Sequence, residues 1–74
     1  MTDKELNSLL YSQSFLEVDG YLIDAWFDIK SCEKHIDVVN RETREETCFI
    51  ANGMSIDEVR EKISSLIVLY FVVL

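Results

Sequence analysis

The dipeptide Asp19-Gly20 is the feature that most constrains how this chain can fold. It separates two apolar-rich stretches, and both of its residues tolerate the positive φ angles of a two-residue type I′ hairpin turn. A turn at this dipeptide predicts the register of the hairpin, with Leu16 opposite Ile23 and Val18 opposite Tyr21. Because side chains alternate between the two faces of a strand, the register also determines which residues enter the core.

The stretch after the turn alternates regularly, as expected of a strand. One face, predicted to be core, carries Tyr21, Ile23, Ala25, Phe27 and Ile29, and the other carries Leu22, Asp24, Trp26, Asp28 and Lys30. A short loop around residues 31–34 then leads to a third predicted strand over 35–39. A fourth strand is expected over 48–51, and the polar segment between these two strands predicts a turn or a short helical excursion.

Two capping boxes predict a helix at each end of the chain. Thr2 and Glu5 form the first box, ahead of a helix over about 2–12, and Ser55 and Glu58 form the second. The second helix carries an apolar stripe of Val59, Ile63, Leu66, Ile67 and Tyr70. The predicted fold class is therefore α+β, in a single small domain over 1–74: a short N-terminal helix, an antiparallel sheet of three or four strands built from hairpins, and a C-terminal helix packed on one face.

Residues 66–74 form a continuous apolar run, LIVLYFVVL. The absence of a turn residue after Ser65 favours a continued helix, whereas the β-branched and aromatic composition favours a strand buried on both faces. Spanning a bilayer takes about 20 apolar residues, so a membrane span is not expected. Such a run exposes more apolar surface than a small domain easily buries, which predicts an interface with a second copy or a larger partner. The residues expected at this interface are Leu66, Leu69, Tyr70, Phe71 and Val73.

The charge is strongly acidic, with 14 Asp and Glu against 7 Lys and Arg and a net charge of −7. This balance argues against direct nucleic-acid binding, which depends on cations at phosphates, and it favours a protein partner with a basic surface. The alternative is that acidity only keeps a small apolar protein soluble. Two cysteines and an N-terminus without a signal-peptide pattern predict a cytoplasmic protein.

The residues that commonly carry catalysis are few, so we expect neither an enzyme nor a cofactor. His35 is the one histidine, and no phosphate-binding loop, nucleophile elbow or metalloprotease motif is present in the sequence. Cys32, His35 and Cys48 could supply three ligands to a metal, but structural zinc sites use paired motifs and a fourth ligand. Two small thiols outside any metal site are the favoured interpretation.

Trp26, between Asp24 and Asp28 on the outward strand face, is the favoured binding residue. An aromatic anchor with acidic neighbours suits a basic protein surface, with Glu17 and Glu33 as further charge partners and Leu22 and Phe15 extending the apolar part. The competing interpretation is that a helix covers this face and Trp26 is core. A second acidic group could imitate phosphates but is interrupted by basic residues; its members are Glu42, Glu45, Glu46, Asp57, Glu58 and Glu61.

These features favour a stoichiometric inhibitor or regulator that docks on a basic, nucleic-acid-binding partner. In size and composition the chain is similar to the small acidic proteins that phages and mobile elements use against host defence nucleases, although no motif is shared. The alternative is a structural or assembly subunit that forms homo-oligomers or joins a heteromeric complex through the apolar run.

Overall fold

The computed structural model describes residues 1–12 and 14–68. The elements in chain order are α1 (Asp3–Tyr11), β1 (Phe15–Val18), β2 (Tyr21–Asp28), β3 (Glu33–Asn40), β4 (Glu46–Ile50) and α2 (Ile56–Leu66). The strands form one antiparallel sheet in the order β1-β2-β3-β4, so every sheet connection is a hairpin. The α+β fold class predicted from the sequence is confirmed.

The first hairpin has the predicted turn and register. Asp19 and Gly20 both take positive φ, 50° and 84°, as a type I′ turn requires. Leu16 pairs with Ile23 and Val18 with Tyr21. The backbone amide of Arg41 donates to the Gly20 carbonyl at 3.1 Å, which ties this turn to the end of β3.

The second hairpin differs from the prediction. Its loop is 29–32, two residues earlier than expected, because the Asp28 carboxylate accepts the Lys30 amide at 3.0 Å and Cys32 takes a positive φ of 56°. Strand β3 therefore begins at Glu33. Ile29, predicted on the core face, lies in this loop with 82% of its surface exposed, so that assignment was wrong.

The third hairpin closes with a turn, not a helical excursion. The Asn40 side chain accepts hydrogen bonds from the backbone amides of Glu42 and Thr43, and Arg44 takes a positive φ of 66°. After β4, Asn52 ties the chain back to the second hairpin: its side chain accepts from the Lys34 amide at 2.6 Å and donates to the Cys32 carbonyl at 2.9 Å.

Both helices begin at complete capping boxes. The Glu5 and Glu58 carboxylates each accept the amide of their N-cap residue, Thr2 and Ser55, and these hydrogen bonds lower the pKa of both carboxyl groups. Arg60 of α2 pairs with Asp3 at the start of α1 and with Asp57 one turn earlier in its own helix. The hydrogen bonds to Asp3 and then to Asp57 raise the pKa of Arg60.

The core lies between the two helices and one face of the sheet. Its residues are Leu6, Leu9 and Leu10 of α1, Leu16, Ile23, Ala25, Ile36, Val38 and Ala51 of the sheet and its end, and Val59 and Ile63 of α2. Leu66 and Ile67 pack partly buried against this core, and Lys34 at the sheet's end donates to the Leu10 carbonyl. Among the described residues, no buried polar or charged residue occurs in the core.

The helical interpretation of the C-terminal run holds as far as the described residues extend. Helix α2 continues through Leu66, and Ile67 retains helical angles of −60° and −45°. Leu66, predicted as an interface residue, contacts the chain's own core. The other predicted interface residues, Leu69, Tyr70, Phe71 and Val73, lie outside the described residues. Within 1–12 and 14–68, no helix is long and apolar enough to cross a membrane.

Replacing Gly20 with Ala tests the turn. A Cβ at Gly20 meets nothing within 4 Å, so the cost comes from the positive φ and we expect the free energy of unfolding to fall by about 1 kcal/mol. Urea unfolding measures this, with Asp19→Asn as a control that keeps a type I′ sequence and changes stability by at most a few tenths of a kcal/mol. Equal stability of Gly20→Ala and the parent protein would contradict the turn assignment.

Replacing Glu58 with Gln tests the second capping box through pH. The folded-state pKa of Glu58 lies below its ordinary 4.5, so its contribution to stability is present above pH 4.5 and is lost as pH falls through the lowered value. We expect the urea midpoint of Glu58→Gln to fall less between pH 5 and pH 3 than that of the parent protein. Glu61→Gln, an exposed change in the same helix, should keep the parent pH dependence, and identical curves for all three proteins would contradict the assignment.

Candidate protein-binding site

The sheet has one face turned away from both helices, here called the outer face. Every buried core residue of the strands points to the opposite face, and several outward side chains are exposed: Phe15 is 66% exposed, Trp26 43% and Ile50 47%. The outward strand positions are Phe15, Glu17, Leu22, Asp24, Trp26, Asp28, Glu33, His35, Asp37, Val39, Glu46, Cys48 and Ile50. The interpretation of Trp26 as a core residue is therefore wrong.

Trp26 is held in one orientation on this face. Its ring stacks on that of His35, the residue opposite it on β3, with centroids 4.2 Å apart and planes 8° apart. Its indole N–H donates to Asp37 Oδ2 at 2.9 Å. Stacking fixes the ring plane, and the hydrogen bond fixes the direction in which the indole nitrogen points.

Two like-charged pairs flank the Trp26–His35 stack. On one side Asp24 lies directly opposite Asp37, and on the other Asp28 lies directly opposite Glu33. Such pairs bring Cβ atoms within about 4.5–5.5 Å, and like charges in that position destabilise a sheet. The arrangement is thus an aromatic stack between two pairs of carboxylates.

The outer face is acidic throughout. Its strand positions, all of which the structure describes, include six carboxylates and neither lysine nor arginine; the carboxylates are Glu17, Asp24, Asp28, Glu33, Asp37 and Glu46. Arg41, in the β3–β4 loop, pairs with Glu17 at 2.6 Å. The protein has a net charge of −7, and its outer face carries negative charge without lysine or arginine at the strand positions.

All five residues predicted to bind a partner lie on the outer face, but they are not equivalent. Glu17 is already paired with Arg41, Asp28 closes the β2–β3 loop, and the Glu33 carboxylate lies 3.8 Å from His35 Nε2. The Asp24 carboxylate makes no hydrogen bond or ion pair to any described residue. Asp24 and Trp26 are therefore the most available pair.

The sequence reasoning missed Asp37 and the role of His35. Both are placed by the register of β2 against β3, which depends on the position of the second loop. The signal that could have located this loop is Asp28, because an aspartate at a strand end often accepts an amide two residues later and closes a turn.

The other candidate groups are not brought together. Cys32 lies in the β2–β3 loop and Cys48 in β4 opposite Asp37, and within the described part of the chain no three His, Cys, Asp or Glu residues are arranged to hold a metal. The acidic group over 42–61 is divided, since Glu46 lies on the outer face and Glu61 on α2. Asp57 and Glu58 of that group are engaged by Arg60 and by the capping box.

A cleft of about 490 Å³ lies between the end of α1 and the start of α2. Tyr11, Phe27 and Met54 provide its apolar lining. Its cation, Lys34, already donates to the carbonyl of Leu10 at the end of α1. This cleft therefore offers mainly an apolar lining, whereas the outer face combines an ordered aromatic ring with accessible charge.

Comparison with known proteins gives no match to a family model, to a curated protein or to a solved structure. The site is accordingly interpreted from its own geometry and charge.

Replacing Asp24 with Asn tests the repulsion across β2 and β3. The change removes one charge of the Asp24–Asp37 pair without touching a hydrogen bond, so we expect the free energy of unfolding to rise by about 0.2–1 kcal/mol at low salt. The gain should shrink at 1 M salt, where exposed charges are screened. Urea unfolding measures both, and Glu61→Gln is the matched control for net charge. A less stable Asp24→Asn protein would contradict the arrangement.

Proposed function

We propose that this protein is a small binding module that docks on a basic surface of a partner protein through its outer face, and thereby acts as a stoichiometric inhibitor or regulator. The observation that carries the proposal is the Trp26–His35 stack between two pairs of carboxylates, with Trp26 43% exposed. The predicted partner-binding residues, Trp26, Asp24, Asp28, Glu17 and Glu33, all belong to this face.

Trp26 has the properties of an interface anchor. Tryptophan is enriched among the residues that dominate binding energy, and anchors contribute most when they are already ordered before binding. Here the stack on His35 and the bond to Asp37 order the ring in the free protein. Phe15 and Ile50, exposed on the same face, add apolar area around it.

The negative charge of the outer face determines which kind of molecule can bind to it. A second copy would bring six carboxylates against six, and nucleic acids and anionic membranes carry the same sign of charge. A basic protein surface is the complementary choice, and it would be attracted over a distance before contact. In solution, a dimer formed through this face is the outcome that would count against this argument.

A nucleic-acid-binding partner follows from the same reasoning. Proteins that bind nucleic acid present clustered Lys and Arg on one surface. A module that covers such a cluster prevents phosphates from reaching it, which makes it an inhibitor in a one-to-one complex. The small size and acidity are shared with phage and mobile-element proteins that act against host defence nucleases, so a defence nuclease is the first partner class to test.

The experiment has two stages. A photo-reactive amino acid in place of Phe15 first identifies the partner by cross-linking in the cell, and the partner is then purified. Binding kinetics with the purified partner, with and without nucleic acid, test the proposal itself. We expect nucleic acid to compete with this protein for the partner; simultaneous binding of both would contradict the inhibitor function.

The charge-reversal variant Asp24→Lys tests the role of the outer face. Asp24 is chosen because it lacks partners in the described structure, whereas Asp28 closes a turn. We expect the association rate to fall about tenfold at low salt and its salt dependence to weaken, because the carboxylate steers the encounter. The control Glu61→Lys changes the net charge equally, from −7 to −5, but lies on α2. Equal effects of the two variants would show that only net charge matters and would contradict docking through this face.

A further inference from the structure

We infer that the outer face receives an arginine side chain of the partner, with the guanidinium stacked on the free side of the Trp26 ring and paired with the carboxylate of Asp24. The inference rests on the proposed function, and it names the chemical group that the face recognises.

The stack with His35 uses one side of the Trp26 ring. His35 covers one side, with the two planes almost parallel at 8°. On the side away from β3, the described pairing of β1 with β2 begins at Phe15 and Asp24, so no described residue is paired with Trp26 there. Trp26 remains 43% exposed although His35 stacks on its ring.

Asp24 supplies an anion near Trp26 on the same face of β2. It precedes Trp26 by two residues on the same face, a separation of about 7 Å along a strand. Neither of its oxygens is engaged by a described residue, whereas Asp37 Oδ2, on the residue opposite, accepts the indole N–H. The repulsion between Asp24 and Asp37 is a cost that a bound cation removes.

A metal ion does not fit this position. Calcium takes six or more oxygen ligands and magnesium needs a near-octahedral shell, whereas the described residues form no group of three or more possible ligands. The cation is therefore an organic one carried by the partner.

Guanidinium fits better than ammonium. It is planar, stacks on aromatic rings and presents a fork of N–H donors that matches the two oxygens of a carboxylate. Within about 6 Å of an indole it also gains cation–π attraction, which is strongest for tryptophan. The ring and the free carboxylate of this face match those two properties of one arginine, whereas lysine offers a point charge.

The test uses two synthetic peptides of equal length and charge, one with three arginines and one with three lysines, both spaced by Gly and Ser. Trp26 is the one tryptophan in the chain, so its emission reports binding at this position. We expect the arginine peptide to bind about fivefold more tightly than the lysine peptide. Asp24→Asn should remove most of that preference, whereas the matched control Glu61→Gln should keep it. Trp26→Leu should also remove the preference for arginine, because the stacking ring is lost. Binding to this variant is measured by calorimetry. The change replaces an exposed side chain and leaves the core untouched, so the variant should fold.

The outcomes separate this inference from the proposed function. Equal affinity for both peptides, weakened for both by Asp24→Asn, would overturn the arginine inference and leave a basic docking face in place. Affinity unchanged by Asp24→Asn and by Trp26→Leu would overturn both. Absence of measurable binding of the arginine peptide at millimolar concentration would overturn the arginine inference, and the purified partner would still decide the proposed function.

Discussion

The register of the β1–β2 hairpin determines which side chains of this sheet enter the core and which face outward. With Asp19 and Gly20 at the turn, Leu16 and Ile23 point inward, and a shift of one residue would exchange the two faces. Both helices pack on the inward face, where Arg60 of α2 also pairs with Asp3 of α1. Among the described residues, both helices cover only one side of the sheet, and Phe15 and Trp26 are exposed on the other.

The outer face is not arranged for greatest stability. Opposite charges across neighbouring strands would stabilise the sheet, yet two like-charged pairs flank Trp26, and arginines are used elsewhere, at Glu17 and between the helices. Acidity that served only solubility would not need to be concentrated around an ordered indole. Charges that repel one another across the strands of the free protein would attract a basic surface, which is the arrangement that the proposed binding face requires.

Much of the fold could be predicted from short-range chemistry. The Asp-Gly turn and the two capping boxes act within four residues, so the sequence contains their whole cause, and the period-two alternation of β2 placed Trp26 correctly on the outward face. The β2–β3 loop was predicted two residues too late along the sequence because no Asp-Gly or similar dipeptide marks it. The structure closes this loop through the Asp28 side chain and the positive φ of Cys32. The contacts of Trp26 with His35 and Asp37 depend on the position of that loop, and they were missed because the signal at Asp28 was not used.

Quenching of Trp26 fluorescence tests the central claim, an accessible indole in a field of carboxylates, without any partner. Quenching by caesium, iodide and neutral acrylamide is compared with that of free N-acetyltryptophanamide, at low salt and at 1 M salt. We expect acrylamide to reach the ring, caesium to quench severalfold better than iodide relative to the free compound, and 1 M salt to remove this difference. A ring shielded from acrylamide, or equal relative quenching by the two ions at low salt, would contradict the central claim.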